Sequence, residues 1–324
     1  MPTVCADWMA ECQDALRDLP LCQVPLPGSH DAGSFGGINA KSKTQEYSIK
    51  DQLEYGVRYF DFRVRVDNGQ FFSHHGADES RDNPYAQWPT EQSDANGKIF
   101  IEIVQFCDQH PGEIVILNFT DFSAVWNQSF NDDDKRHFMD RMRARFDNRM
   151  VLREDLGDGS YGNTIPTYGQ CIDRGQRIFV IINEDVPVWR AHQDIWPAIG
   201  CWRDRFSAYS YSGHTWAGLI ELTMQDQQDY LTDAHAADGR ALDHFWVSQA
   251  ILDYPALAPD GKSRNWYGAE KLNPPFMDAF TQWWNGESAF PSTPATVKRP
   301  NILLLDFSGV FDNLPQVCKA LLGH

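Results

Sequence analysis

Short apolar runs alternate with helix-patterned segments along most of the chain. Residues 113–119 (EIVILNF), 177–182 (RIFVII), 245–251 (FWVSQAI) and 301–305 (NILLL) are near-continuous apolar stretches of strand length, as strands covered on both faces of a parallel sheet must be. Between them, residues 7–19 read as an amphipathic helix stopped before Pro20, residues 49–55 as helical, and residues 97–109 as a helix ended by Pro111-Gly112. Residues 22–26 predict a short strand that delivers Pro27-Gly28-Ser29-His30 to a strand-end loop. Period-two alternation over 57–65 puts Asp61 and Arg63 on one face of a strand, and Asp67-Asn68-Gly69 is a hairpin turn into 71–75. The stretch 184–243 lacks clear periodicity and reads as long loops with short helices, while 261–271 and 286–299 read as turn-rich loops. Such a rhythm predicts an α/β sheet or barrel rather than a sandwich. Polar residues follow the strands where their C-terminal ends would open: Thr120-Asp121, Asn183-Glu184-Asp185, Asp253 and Asp306. A barrel gathers such residues in one mouth.

Composition narrows the function. With 324 residues, 42% of them hydrophobic and 13% aromatic, the chain can bury a sizeable core. We read it as one domain over 1–324, with 1–20 forming an N-terminal helix packed on the barrel. A net charge of −17 argues against nucleic acid as a partner, because phosphate backbones attract basic faces. Any anionic ligand must therefore meet a local positive site. No apolar run approaches the ~20 residues that span a bilayer, and the first residues lack the charged and apolar regions of a signal peptide. Seven cysteines without CxxC spacing make a zinc site unexpected and leave at least one thiol unpaired within a monomer, the expected state. The thiol weighs against a secreted microbial enzyme, which the low lysine use and abundant aromatic residues favour, and compartment stays open. The candidate chemistry lies in Pro27-Gly28-Ser29-His30-Asp31, Asp61-Phe62-Arg63 and Ser73-His74-His75-Gly76. Histidines, carboxylates and an arginine together can move a proton from one oxygen to another across a phosphate.

These motifs, with Thr44-Gln45-Glu46-Tyr47, Gln52-Leu53-Glu54-Tyr55-Gly56-Val57-Arg58, residues 110–122, Val247-Ser248-Gln249-Ala250 and residues 302–307, resemble the X-domain family of phosphatidylinositol-specific phospholipase C. The resemblance is to its small single-domain branch: bacterial enzymes and proteins that contain only an X-domain. It implies a distorted, partly irregular TIM-type barrel, α/β in class. It also implies cleavage of phosphatidylinositol at a membrane surface into diacylglycerol and inositol (1,2-cyclic) phosphate. By the same resemblance His30 is the general base and His75 the acid; histidine suits both roles near neutral pH. Asp306 would orient the base, and Asp31 would partner the acid and the arginine. His74 would be structural.

Arg63 carries the metal question. The family offsets phosphate charge either with calcium held by acidic residues or with a guanidinium, whose planar fork meets two phosphate oxygens. Asp61-Phe62-Arg63 has the second form, so no cofactor is expected. The alternative would collect calcium on Asp31, Asp61 and Asp121. Where secreted bacterial relatives place a lysine and an arginine near substrate, this chain has Thr120-Asp121 and Asn183-Glu184-Asp185. Those five residues are candidate substrate contacts, and Glu184 or Asp185 would repel a ring phosphate. Trp189, Trp283 and Trp284 are candidates for an apolar membrane rim. Two other functions compete. A glycerophosphodiester phosphodiesterase would want a Glu-x-Asp metal pair where Asp61-x-Arg63 stands. A non-catalytic inositide-binding protein would have no use for an acid and a base.

Overall fold

The computed structural model describes residues 3–35, 43–67, 69–74, 99–124, 130–184, 186–210, 215–238, 244–253, 264–289, 299–310 and 313–323. In chain order the elements are α1 (Trp8–Glu11), α2 (Gln13–Leu16), β1 (Leu26–Ser29), α3 (Ile49–Glu54), β2 (Tyr59–Asp67), β3 (Gln70–Ser73), α4 (Ile99–Gln109), β4 (Val115–Ala124) and α5 (Asp132–Phe146). They continue with α6 (Tyr168–Asp173), β5 (Ile178–Ile182), α7 (Pro187–Arg190), β6 (Trp196–Pro197), α8 (Ala198–Cys201), β7 (Trp202–Ser210), α9 (Trp216–Asp238), β8 (Phe245–Asp253), α10 (Arg264–Trp284), β9 (Ile302–Leu305) and α11 (Leu314–Leu321).

One sheet runs β6-β5-β4-β2-β1-β9-β8-β7, all parallel, and β3 adds antiparallel to β2 through the expected hairpin. The sheet curls on itself. Phe179 of β5 meets Phe245 of β8 edge-on at 5.1 Å between centroids, and Trp202 Nε1 of β7 donates to Tyr59 Oη of β2 at 2.8 Å, so opposite flanks touch across the interior. Among the described residues no ladder joins β6 to β7. The fold is an α/β, irregular TIM-type barrel with an open seam there; the α/β class follows the alternation of runs, and the barrel type is the one the family resemblance implied. No helix among the described residues is long and apolar enough to cross a membrane.

Strand register sets up the mouth. Gly28, Tyr59, Ile116 and Phe179 are aligned in one row. Side chains two residues on share a face, so the next row toward the C-terminal ends holds Asp61, Asn118 and Ile181, and the one above it Arg63 and Thr120. The alternate residues Phe60, Phe62, Leu117, Phe119 and Val180 are buried with Ile103 of α4 and Phe138 of α5, forming the outer core. Glycine is required at Gly28, where a Cβ would lie 2.9 Å from Leu304 Cδ1 and 3.0 Å from the Leu303 carbonyl. That close approach keeps β1 against β9.

Several elements depart from the sequence reading. The helix over 7–19 is broken at Cys12 into α1 and α2, because Trp8, Met9, Cys12 and Leu16 all pack into the core and Glu113 captures the Ala10 N–H at 2.9 Å. Tertiary packing overrides propensity there. Instead of a strand over 22–26, a 3₁₀ turn covers Leu21–Gln23 and β1 starts at Leu26. The Asn301 side chain takes up the Val24 carbonyl at 3.1 Å, and β1 begins where it can pair with Ile302. The stretch 184–243 contains a nine-residue strand and a 23-residue helix rather than loops. Its periodicity is hidden because buried positions are polar: Gln227 on α9 is completely buried and donates to the Arg205 and Gln249 carbonyls at 2.8 Å. Of the loop expected over 261–271, residues 264–271 are the start of α10, which lies so close to β8 that a Cβ at Gly268 would overlap the Leu252 carbonyl, while 261–263 lie outside the described residues.

Buried charge closes the base of the barrel. Arg58 and Glu113 are both fully buried and paired at 2.7 Å. The guanidinium also donates to the Leu53, Val57 and Ala6 carbonyls, tying the N-terminal segment beneath the sheet. Burial pushes the Glu113 carboxyl up against the opposing pull of Arg58.

Candidate active site

His30 directly follows β1 and continues its ladder through its N–H to the Leu305 carbonyl at 3.0 Å. Its ring is almost wholly buried and lies between two carboxylates, Nδ1 2.7 Å from Asp306 Oδ1 and Nε2 3.2 Å from Asp31 Oδ2. Asp31 is shared: its other oxygen, Oδ1, is 2.9 Å from Arg63 Nε. About a quarter of the Arg63 side chain (27%) reaches solvent, while Asp31 has none exposed. Asp61 lies behind this group and accepts from the Asp31 N–H at 3.4 Å. Three strands, two from the N-terminal part of the chain and one from near its C-terminus, thus build one cluster because β1 sits between β2 and β9.

The chain turns sharply at the site. Asp31 has φ 41° and Phe307 φ 51°, left-handed values that residues with a Cβ adopt at a cost. Each immediately follows a member of the His30–Asp306 pair, so the backbone leaves the barrel as soon as the functional side chain is placed.

Three carboxylates against two potential cations distort the titrations. Burial alone would push the His30 imidazole down, but Asp31 and Asp306 outweigh it and raise it to about 9. Burial and the Asp31 charge push the Asp61 carboxyl up to about 6, despite His30 and Arg63. His30 therefore rests as an imidazolium bridging two carboxylates, and the group titrates as a unit.

His30, Asp31 and Asp61 bring ligand atoms within 4.8 Å of one another. Their fit to calcium is poor on donor chemistry. Calcium prefers six to eight oxygen ligands, whereas here a ring nitrogen and a guanidinium already occupy Asp31. Asp121 does not join this group, which corrects the calcium set Asp31, Asp61 and Asp121. A bulge in β4 between Thr120 and Ser123, with Asp121 at φ 47°, turns that carboxylate outward to 56% exposure beside His74. His74 itself is buried with Nε2 3.1 Å from Ser123 Oγ.

The other candidates sort differently. Thr120 stands beside Arg63 in the mouth, and Asn183 is exposed at the end of β5. Glu184 is held by Lys135 Nζ at 2.9 Å and Trp189 Nε1 at 2.8 Å, so its charge is already matched. Repulsion of a ring phosphate by Glu184, as expected from sequence, does not follow. Trp189 and Trp283 are completely buried and Trp284 nearly so, which removes all three from a membrane rim. They pack inside the protein instead: Trp283 of α10 donates to Gln228 of α9, and Trp189 of α7 meets Phe122 of β4 at 5.5 Å. His75 and Asp185 lie outside the described residues.

Two residues of β7 were missed. Phe206 is 47% exposed, with its ring centroid 6.3 Å from that of His30. Asp204, two residues earlier on the same face, lines a cleft of about 250 Å³ at the seam with Asn183, Glu184, Trp202, Arg203 and Tyr230. The signal available was the alternation Trp202-x-Asp204-x-Phe206, obscured by arginines at 203 and 205.

Comparison with known proteins finds sequence relatives and structural neighbours for the chain. The model of the PI-PLC X family (PI-PLC X 1) matches residues 20–192. PI-PLC X domain-containing protein 1 of Homo sapiens is 24% identical over 225 residues, 60% of this chain and 62% of that protein. PI-PLC X domain-containing protein 2 of Homo sapiens is 31% identical over 147 residues, 37% of this chain and 45% of that protein. The matches thus span less than two thirds of either relative. Among solved structures, phosphatidylinositol-specific phospholipase C from Staphylococcus aureus (an F249X mutant) superposes with a TM-score of 0.62 at 16% identity, covering 97% of both chains. The enzyme of the same name from Listeria monocytogenes gives 0.61 at 18% identity, covering 97% of this chain and 99% of that one. These likenesses show a shared barrel. Because the matched model covers more than half of the chain, including His30, Asp31, Asp61 and Arg63, the protein belongs to the PI-PLC X family.

Proposed function

We propose that the protein is a phosphodiesterase that cleaves phosphatidylinositol into diacylglycerol and inositol 1,2-cyclic phosphate. The observation that carries this reading is His30, pinned by Asp306 on Nδ1 and sharing Asp31 with Arg63 at the C-terminal mouth of the barrel. As the substrate displaces Asp31, the Nε2 proton of the resting imidazolium leaves to solvent and His30 becomes neutral; the ring 2-hydroxyl oxygen then attacks phosphorus and passes its own proton to that nitrogen. The bond to the glycerol oxygen breaks, and that oxygen takes a proton from His75, whose role rests on the family motif. Asp306 stabilises the resulting imidazolium. Arg63 meets the charge that builds on the phosphoryl oxygens, a stabilisation worth most in a site partly shielded from water. A metal is not required by this scheme. The carboxylate and amide groups around the seam cleft suit the hydroxyls of a neutral polyol ring.

Incubating the purified protein with phosphatidylinositol vesicles in excess chelator should release inositol 1,2-cyclic phosphate. Release only after calcium is restored would overturn the role of Arg63. If neither condition gives product while the vesicles still bind, the protein is a binding module and the catalytic reading fails.

A further inference from the structure

The catalytic cluster is built from the ends of β1 and β9, and just beyond those ends the ladder stops and both chains turn away. Something else must hold the two ends together. The short segment through Thr44 and Gln45, both completely buried, lies across them. The Gln45 amide nitrogen donates to the His30 carbonyl at 2.7 Å and the Leu305 carbonyl at 3.0 Å, while its oxygen accepts from the Ser308 N–H at 3.0 Å. Thr44 Oγ1 donates to the Asp31 carbonyl at 3.0 Å, and the Thr44 carbonyl accepts from the Phe307 N–H at 2.7 Å. The segment is anchored in turn by the Ser34 carbonyl, which accepts from the N–H of Thr44 at 3.1 Å.

We infer that Gln45, assisted by Thr44, is a positioning residue that sets the distance between His30 and Asp306 by clamping the ends of the strands that carry them. The inference rests on the proposed phosphodiesterase reading for its kinetic consequences, though not for its geometry. Three features favour a positioning role over mere filling. Five hydrogen bonds from two consecutive residues all reach His30, Asp31 or residues within two positions of Asp306, divided between the ends of the two strands. Only a primary amide on a two-carbon stem supplies two donors toward carbonyls and one acceptor toward an N–H at this reach. Glutamate would set a carboxylate against two carbonyl oxygens, and asparagine is shorter by a methylene. Finally, the clamp spans the two left-handed residues Asp31 and Phe307, whose strain persists only if the surroundings over-determine it.

Loosening the clamp should act on chemistry rather than on affinity, since the clamp residues lie behind the pair and touch no open part of the mouth. A shift of ~1 Å in a catalytic group costs about 100-fold in rate. Gln45→Met, which keeps the stem and loses all three hydrogen bonds, should lower kcat on phosphatidylinositol by about that factor, with KM within about threefold. The His30 imidazole, followed by NMR, should titrate at lower pH in Gln45→Met as Asp306 slackens; Asp61 and Arg63 also face it and are untouched, and Asp31 keeps its bond to Thr44. Thr44→Val should show a smaller loss, about tenfold, and Thr44→Ser should restore both rate and titration. Wild-type kcat and titration in folded Gln45→Met would overturn the inference, as would a lower kcat with the His30 titration unmoved. Should Gln45→Met prevent folding, the Thr44 pair decides by the same criteria. If the wild-type protein itself turns over no substrate, the phosphodiesterase reading fails, while the His30 titration still decides for or against the clamp.

Discussion

At the base of the barrel, Arg58 and Glu113 are buried completely, one cation to one anion, with the guanidinium donating to three further carbonyls. At the mouth, Asp31, Asp61 and Asp306 share His30 and Arg63, and Arg63 is open to solvent. Both are buried clusters of carboxylates and cationic side chains. The base is balanced and closed, so its charges fix the N-terminal segment and do nothing else. The mouth carries an excess of carboxylate, holding the His30 pKa near 9 and that of Asp61 near 6, and so keeps protons that can move. Stoichiometry and access to water, more than composition, separate a strut from a site.

Exchanging the properties of the two clusters by mutation tests that contrast. The largest effect is expected at the mouth: His30→Ala should lower formation of the cyclic phosphate by about 10²–10⁴-fold, the range a positioned general base contributes. Removing the imidazolium also leaves Asp31 and Asp306 uncompensated in the interior, so stability falls too, and turnover is compared in folded protein. Near-normal turnover by this variant would refute the assigned base. At the base only stability should respond. Arg58→Ala leaves Glu113 charged and unpaired in the interior, which typically costs about 3–5 kcal/mol of folding stability. A denaturant midpoint equal to that of the wild type would show that the pair is not the strut described above.

Smaller and opposite in sign is the effect expected at Asp61. Its carboxyl is raised from 3.8 to about 6 in the fold, so the native state binds a proton more tightly than the unfolded chain. The resulting stability is fully present below pH 3.8 and is lost as pH rises through 6. Asp61→Asn removes that loss, and at pH 7 it should be more stable than the wild type by about 1–3 kcal/mol. Urea titrations at pH 4 and pH 7 check this, and a variant that is less stable at pH 7 would contradict the reading of the mouth as a site with surplus negative charge.

The mouth was more legible in the sequence than the seam, for a physical reason. Strands buried on both faces, such as Ile178–Ile182 and Ile302–Leu305, are apolar throughout, and the polar residues past their ends are easily read as a mouth. The row containing Asp61 and Arg63 followed from period two alone. Partnership between His30 and Asp306 did not: it depends on β1 lying next to β9, a pairing between opposite ends of the chain that only the family resemblance supplied. The seam failed differently. In β7 and α9, polar side chains such as Gln227 serve as buried donors to backbone, so polarity no longer marks the solvent face. The same confusion misplaced Trp189, Trp283 and Trp284, whose abundance suggested a surface role although each is buried in the core.

Phe206 provides the smallest test and the one that separates binding from chemistry. Its ring stands at the mouth beside His30, half exposed, on a strand that no ladder joins to β6 among the described residues. An exposed aromatic face at that position can cover the C–H face of a polyol ring, a contact of about 0.5–1.5 kcal/mol. It touches neither the phosphate nor a moving proton, so its contribution should be equal in ground and transition states. Phe206→Ala should therefore raise KM by about two- to tenfold and leave kcat within a factor of about two, whereas Phe206→Tyr should keep both. If kcat falls in Phe206→Ala while KM holds, the ring acts on His30 rather than on substrate, and the division between a charged catalytic flank on β1, β2 and β9 and an aromatic binding flank on β7 would have to be redrawn.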